Sequence, residues 1–305
     1  MDWQALVEDT YHHVQPRLGE GEVANYIPAL AEVDPRSFGL CVATLDGAVY
    51  SVGQAGAPFS IQSISKVFTL TLALEWEGGE LWRRVGREPS GSAFNSIVQL
   101  EREGGVPRNP LINAGALVVT DAMIHHGNTG AIDQLLGLLR TLSEDPSVDV
   151  DPVVFDSERS WGHRNRSLAW FMKSFGVLRC DPDVVLDAYF RQCAVAMTTT
   201  QLARAGLFLA NEGVQPRTGA TVTSHDRVNR INALMLTCGH YDMSGDFAFR
   251  VGLPGKSGVG GGILAVAPGV ASIAVWSPAL NASGNSLVGT LALEHLSTRA
   301  GLNLF

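Results

Sequence analysis

The stretch "FSIQSISKVFTLTLALEW", residues 59–76, decides how the rest of the chain is read. It opens as a polar turn and becomes a helix with a largely apolar body, running to Gly78-Gly79, a pair suited to a helix C-cap. Ser63 and Lys66 stand three residues apart within it, and side chains at i and i+3 share one helix face. With Ser63 at the helix start, its backbone N–H lies at a positive helix terminus. A serine hydroxyl is a weak nucleophile and needs a partner that can accept its proton. Arginine cannot do so, because its pKa stays above about 12. Lysine can, once burial or a neighbouring cation lowers its pKa from about 10.4 towards 7, a differential of roughly 4 kcal/mol. The chain keeps three lysines among its 22 basic residues, and one of them is here. An S-x-x-K match also arises by chance, and Lys66 is then an ordinary surface lysine.

Outward from this segment, residues 2–16 read as a surface helix and "GEVANYIPALAEVDP" as a short helix stopped at Asp34-Pro35. "FGLCVATLDGAVYSVG" is rich in β-forming residues around Asp46-Gly47, a strong hairpin signal. From about 80 to 235 the pattern is mostly helical. "AGALVVTDAMIHH", "IDQLLGLLRTL", "NRSLAWFMKSF", "DVVLDAYFRQC" and "TTQLARAGLFLAN" are each readable by apolar spacing, between loops such as "GREPSGSAFNS". After 245, "FAFRVGLP", "GGILAVAP" and "GVASIAVWSP" read as strands, and "NSLVGTLALEHLSTRA" as a closing amphipathic helix. The chain therefore reads as α/β in the α+β sense: early and late strands pair into one antiparallel sheet flanked by helices, with a helical lobe beside it. As one domain over 1–305, its sheet-containing part covers about 1–78 and 236–305, and the lobe about 79–235. A cleft between sheet and lobe is the natural place for a ligand.

Composition narrows the partners. A hydrophobic fraction of 46% with 17% charged residues allows a sizeable core and argues against disorder. A net charge of −8 supplies no concentrated basic face, so nucleic acid is excluded as a partner. The first twenty residues lack the apolar core of a signal peptide, and the apolar runs are too short or too broken by Gly and Pro to span a bilayer. Cys41, Cys180, Cys193 and Cys238 lie far apart with no C-x-x-C pair and read as ordinary thiols. The expectation is a cytoplasmic protein without membrane contact.

Two further elements bear on chemistry. In "LPGKSGVGGG" (253–262), Lys256-Ser257-Gly258 is similar to the K-T-G element that accompanies S-x-x-K in serine β-lactamases and penicillin-binding proteins. It would open an edge strand beside Ser63, although alone it reads equally as a flexible Gly-rich hairpin. In "CGHYDMSGDFAF" (238–249), Tyr241 is either a buried aromatic or a phenol that shuttles protons.

With these elements in hand the chain resembles the serine-dependent glutaminases, relatives of the β-lactamase and penicillin-binding fold, over roughly residues 19–300. "ANYIPALAEVDP", "QSISKVF", "REPSGSAFN", "NPLINAGAL", "SERSWGHRN", "DAYFRQC", "CGHYD" and "KSGVGGGI" match that family's segments in order. The resemblance implies a β-lactamase/transpeptidase-like fold and hydrolysis of L-glutamine to L-glutamate and ammonia, with no metal or organic cofactor. It implies Ser63 as nucleophile, Lys66 as its base, Tyr241 helping the proton reach ammonia, and Tyr26 close to the same centre. The backbone N–H groups of Ser63 and Val259 would form an oxyanion hole. Asn113, Glu158, Asn165 and Tyr189 would hold the amino-acid head, a carboxylate suiting the α-ammonium and amides or a phenol the α-carboxylate. On their residues alone, Asn113 and Glu158 read equally as helix caps, Asn165 as a loop residue and Tyr189 as core. The family pattern further implies a homodimer or homotetramer. His163, His240 and Gly255 depart from it, His163 standing where an acid is expected and Gly255 where alanine is common. Two rivals share this fold: a β-lactamase-like serine peptidase, and a non-catalytic amino-acid sensor.

Overall fold

The computed structural model describes residues 1–90, 97–127 and 130–305. Residues 91–95 of the matched "REPSGSAFN" segment, and with them most of the predicted 86–96 loop, lie outside the described residues.

Three stretches of nearly continuous small and apolar residues, buried along their whole length, build the centre of a five-stranded antiparallel sheet. Its spatial order is Val49–Gly53, Gly39–Thr44, Ala271–Trp276, Gly262–Ala267, Gly255–Ser257. Asp46-Gly47 turns the first hairpin, with Gly47 at φ +87°. Early and late strands thus share one sheet, joined by the pairing of Gly39–Thr44 with Ala271–Trp276. Strand side chains point alternately to opposite faces, and here both faces are buried. Leu40, Val42, Ile263, Ile273 and Val275 pack on one side against the Trp3–Val14 and Leu287–Ala300 helices. Cys41, Ala43, Leu264, Val266 and Ala274 face the helical lobe, in one apolar cluster with its helices.

The Ser65–Glu77 and Asn113–Gly127 helices form the middle of that lobe side. A buried ion cluster ties their far ends together: Arg84 bonds Glu77 at 2.8 Å and Asp121 at 2.5 Å, and Arg179 bonds Glu77 at 2.6 Å. No helix among the described residues is long and apolar enough to cross a membrane.

Three local expectations change. "FAFRVGLP" is not a strand: Ser244–Arg250 is a helix, and strand begins only at Gly255. The F-A-F alternation misleads because the run is short. Phe247 and Val251, one turn apart, are buried, Phe249 is 87% exposed, and Asp246 pairs with Arg250 at i+4, all helical spacings. The opening of 59–76 is a two-residue strand, Phe59–Ser60, paired with Ala196 and Met197, not a turn. The short helix after Tyr26 covers only Pro28–Ala31, well before Asp34-Pro35.

Candidate active site

The short Phe59–Ser60 strand delivers the chain to Gln62, which is buried at φ +48°, a conformation non-glycine residues rarely hold. A 3-10 turn over Gln62–Ile64 then runs straight into the Ser65–Glu77 helix. Ser63 is therefore fixed at the mouth of that helix, on the wall of a cavity of about 130 Å³. Gly258 lets the end of the Gly255–Ser257 strand lie against this turn, because a Cβ there would stand 2.5 Å from the Ile61 carbonyl oxygen. The close approach brings Val259 to the same wall.

Lys66 follows one helical turn later and is 1% exposed. Its Nζ donates to Asn113 Oδ1 at 2.7 Å, and Asn113 Nδ2 donates to Asn165 Oδ1 at 3.0 Å. Burial pulls Lys66 down to about 8, partly offset by Cys193 and Glu158 nearby. Near neutrality about one amine in ten is thus already neutral, against about one in several thousand for an ordinary lysine.

Glu158 sits within the Pro152–Trp161 helix, 4% exposed. It is no helix cap: Asp151 caps that helix, accepting from Val153 N and Val154 N. Burial pushes the Glu158 carboxyl up to about 7, against the opposing pull of a Gln62 hydrogen bond and the Lys66 charge. Asn113 begins its helix, Asn165 lies in the His163–Ser174 helix, and Tyr189 is buried in Pro182–Cys193. Burial drives the Tyr189 phenol well above its ordinary 10, and the Cys193 thiol is its hydrogen-bond neighbour.

On the sheet side Tyr241 stands at φ +58°. Burial raises its phenol to about 12, while hydrogen bonds with Ser63 and Ser257 pull the other way. Strained backbone at Gln62 and Tyr241 flanks the Ser63 hydroxyl, as is common where surrounding structure holds reacting groups in place. Tyr26 lines the cavity while the residue as a whole is 53% exposed, and burial of its phenol, with Glu158 and Tyr241 nearby, raises its pKa well above the ordinary 10.

The cavity therefore gathers Tyr26, Ser63, Asn113, Glu158, Asn165, Tyr189, Tyr241 and Val259, with Lys66 directly behind. The other lysine motif lands on the expected edge strand, but Lys256 does not line the cavity. Its Nζ donates to Gly239 O at 2.9 Å and Ser257 O at 2.5 Å and lies 4.6 Å from the Tyr241 ring centroid. Sequence reasoning missed Gln62, Cys193, Trp161 and Arg164, which also line the cavity. Gln62 lay inside the matched "QSISKVF" and Cys193 ended "DAYFRQC", so position in a matched segment was the available signal. His163 is exposed on the surface. His240 and Gly255 meet each other: the imidazole stacks on Phe247 at 3.5 Å, and a Cβ on Gly255 would be 2.7 Å from both rings. Burial holds His240 well below its ordinary pKa, hence neutral.

Comparison with known proteins agrees with this geometry. The Glutaminase family profile matches residues 21–305. A glutaminase of Rhizobium meliloti (strain 1021) is 61% identical over the whole chain and 97% of its own length, and one from Agrobacterium fabrum is 60% identical, with 100% and 99% covered. Among solved structures, the probable glutaminase ybaS superposes with a TM-score of 0.93 at 40% identity, covering 99% of this chain and 97% of that one. The probable glutaminase of Bacillus subtilis in complex with 6-diazo-5-oxo-L-norleucine gives 0.90 at 34% identity, covering 100% and 98%.

Proposed function

This chain belongs to the glutaminase family and is a glutaminase with a β-lactamase-like fold, and on that premise we propose how its residues release ammonia from L-glutamine. The observation that carries the reading is the placement of Ser63 on the cavity wall, with a buried, deprotonatable Lys66 one turn behind it. Ser63 attacks the side-chain amide carbon and Lys66 takes its proton. The backbone N–H groups of Ser63 and Val259 receive the oxyanion. Tyr241 gives a proton to the departing nitrogen and recovers one from Lys66. Water then cleaves the γ-glutamyl ester, activated by the same groups. Base catalysis of this kind supplies about 10²–10⁴-fold, and each oxyanion donor about 10²–10³-fold.

Glu158 receives the α-ammonium, while Asn113, Asn165 and Tyr189 face the α-carboxylate, and Tyr26 closes the mouth. Anchoring the head at a fixed distance from Ser63 disfavours asparagine, whose amide carbon falls one methylene short. A cavity of about 130 Å³ suits one amino acid and not a cell-wall peptide, which argues against the peptidase rival. The apolar cluster that joins lobe helices to sheet strands supports one glutaminase domain over 1–305. A homodimer or homotetramer is the assembly that the family pattern supports. Cytoplasmic residence fits the four cysteines, Cys41, Cys180, Cys193 and Cys238, all of which are free thiols.

The test is intact mass of enzyme quenched during turnover, followed by peptide mapping. A glutamyl adduct on Ser63 is expected, and Ser63→Ala should show neither adduct nor ammonia release. An adduct mapped elsewhere, or Ser63→Ala retaining more than a small fraction of turnover, defeats the scheme.

A further inference from the structure

The substrate cavity carries few charges. Among the described residues that line it, Glu158 is the one carboxylate and Arg164 the one cation, while Lys66 lies behind the wall, 1% exposed. L-Glutamine brings both an α-ammonium and an α-carboxylate. The head-group scheme above meets the ammonium with a full opposite charge on Glu158, but meets the carboxylate with two amides and a phenol. Hydrogen bonds from neutral donors to a carboxylate are weaker than those from a cation, by roughly a factor of two.

Arg164 stands where the second charge is needed. It is the second residue of the His163–Ser174 helix, and Gly162, Arg164 and Asn165 at the start of that helix all line the cavity. Gly162 allows the helix to begin there, because a Cβ at this position would run into the Phe190 ring. Asn165 Oδ1 already accepts from Asn113 Nδ2 at 3.0 Å, so what Asn165 has left to offer a substrate is its amide hydrogens. The helix start adds a field of the same sign as Arg164: no side chain caps it, and the first N–H bonded to backbone is that of Arg166, to Gly162 O at 3.1 Å. Nearby arginines are engaged within the protein. Arg159 pairs with Asp156 at 2.9 Å, Arg166 donates to the Arg159 carbonyl at 2.6 Å, and Arg191 pairs with Asp187 at 2.7 Å. Arg164 is exposed and makes no hydrogen bond, ion pair or ring contact among the described residues. One acid and one unengaged cation on the wall of a single cavity suit a zwitterion. We propose that Arg164 is a specificity-determining residue that recognises the α-carboxylate of L-glutamine beside the Asn165 amide, and so fixes which way round the head group enters. The guanidinium takes no part in bond making, so its loss acts on binding and not on the chemical step.

The inference rests on the head-group assignment of the proposed function, and the experiment separates the two. Steady-state kinetics are compared for the parent, Arg164→Met and Arg164→Lys, using L-glutamine and its α-amide, which keeps the ammonium and the side chain but carries no α-carboxylate. With L-glutamine, Arg164→Met should raise KM about 5–30-fold while kcat stays within about threefold; the loss sits low in the range of a charge-assisted bond because the guanidinium is exposed. With the α-amide, Arg164→Met and the parent should agree within about twofold in kcat/KM, there being no charge for Arg164 to meet. Arg164→Lys should hold KM for L-glutamine within about threefold of the parent, since charge is what the position supplies. Melting temperatures should stay within about 2 °C, because Arg164 has no bond in the folded chain to lose. An unchanged KM for L-glutamine in Arg164→Met, an equal loss on both substrates, or a lysine variant no better than the methionine one overturns the proposal. A parent enzyme that turns over the α-amide as well as L-glutamine defeats the head-group assignment itself, because the site then reads no α-carboxylate at all.

Discussion

Replacing Glu158 by glutamine tests the head-group site on two independent axes. Burial lifts the Glu158 carboxyl to about 7. In the empty site near neutrality about half the carboxyls are therefore uncharged, at pH 6 about nine in ten, and at pH 5 about ninety-nine in a hundred. An α-ammonium pairs well only with the charged form. The Kd of L-glutamate, which isolates the head group from the chemistry, should rise about tenfold per pH unit once the pH falls below about 6. Glu158→Gln removes a charge-assisted hydrogen bond of about 1.5–3 kcal/mol, so at pH 8 its Kd should be roughly 10–150-fold weaker than that of the parent. Near pH 5 the two proteins should converge, because the parent has itself become neutral.

Stability should move the other way. A carboxyl whose folded pKa lies above its unfolded value binds its proton more tightly when folded, so its contribution falls as pH rises from about 4.5 to about 7 and stays low above that. Keeping the charge buried at pH 8 costs on the order of 3 kcal/mol, which the amide is spared. The variant should therefore melt above the parent at pH 8 and level with it near pH 4. Calorimetric titration with glutamate and thermal melts over the same pH series decide both points. A Glu158→Gln protein with unchanged glutamate affinity at pH 8, or with the parent's loss of affinity in acid, would refute the assignment.

Three further outcomes are expected. Lys66→Arg should lose nearly as much turnover as Lys66→Ala, because guanidinium supplies charge but accepts no proton; parent kcat should rise with pH through about 8, and an active arginine variant would show that charge alone suffices. Gly255→Ala should destabilise by about 1–3 kcal/mol, since its Cβ would stand 2.7 Å from both the His240 and Phe247 rings; His240→Ala removes one of the two contacts and should give back part of the loss in the double variant, and fully additive losses by denaturant titration would rule out the clash with His240. Arg84→Met should cost about 3–5 kcal/mol by leaving the buried Asp121 without its cation, while Glu77 keeps Arg179; a change below about 1 kcal/mol in urea unfolding would mean water reaches that cluster.

Local pattern carries a great deal in this chain. β-Forming residues on either side of Asp46-Gly47 and again over 262–276 marked strands, and the S-x-x-K spacing placed a hydroxyl and an amine on one helix face before any fold was known. The order of matched segments did the rest for the reaction. Short runs were the weak point: "FAFRVGLP" obeys both periods over four residues, and only packing of Phe247 and Val251 against the closing helix and the sheet selects the helical one.

What sequence alone determined is the family, the glutaminase activity and the candidate groups for its chemistry, because those depend on residue type, near-neighbour spacing and the order of matched segments. What tertiary structure decided is their state. A lysine drops to about 8 and a glutamate climbs to about 7 only because helices from distant parts of the chain exclude water around them. Likewise, Asn113 reaches Lys66 across 47 positions, and Asn285, silent in the sequence, meets Ser257 across 28. Desolvation and hydrogen-bond direction are properties of the assembled interior, and no single stretch of chain contains them.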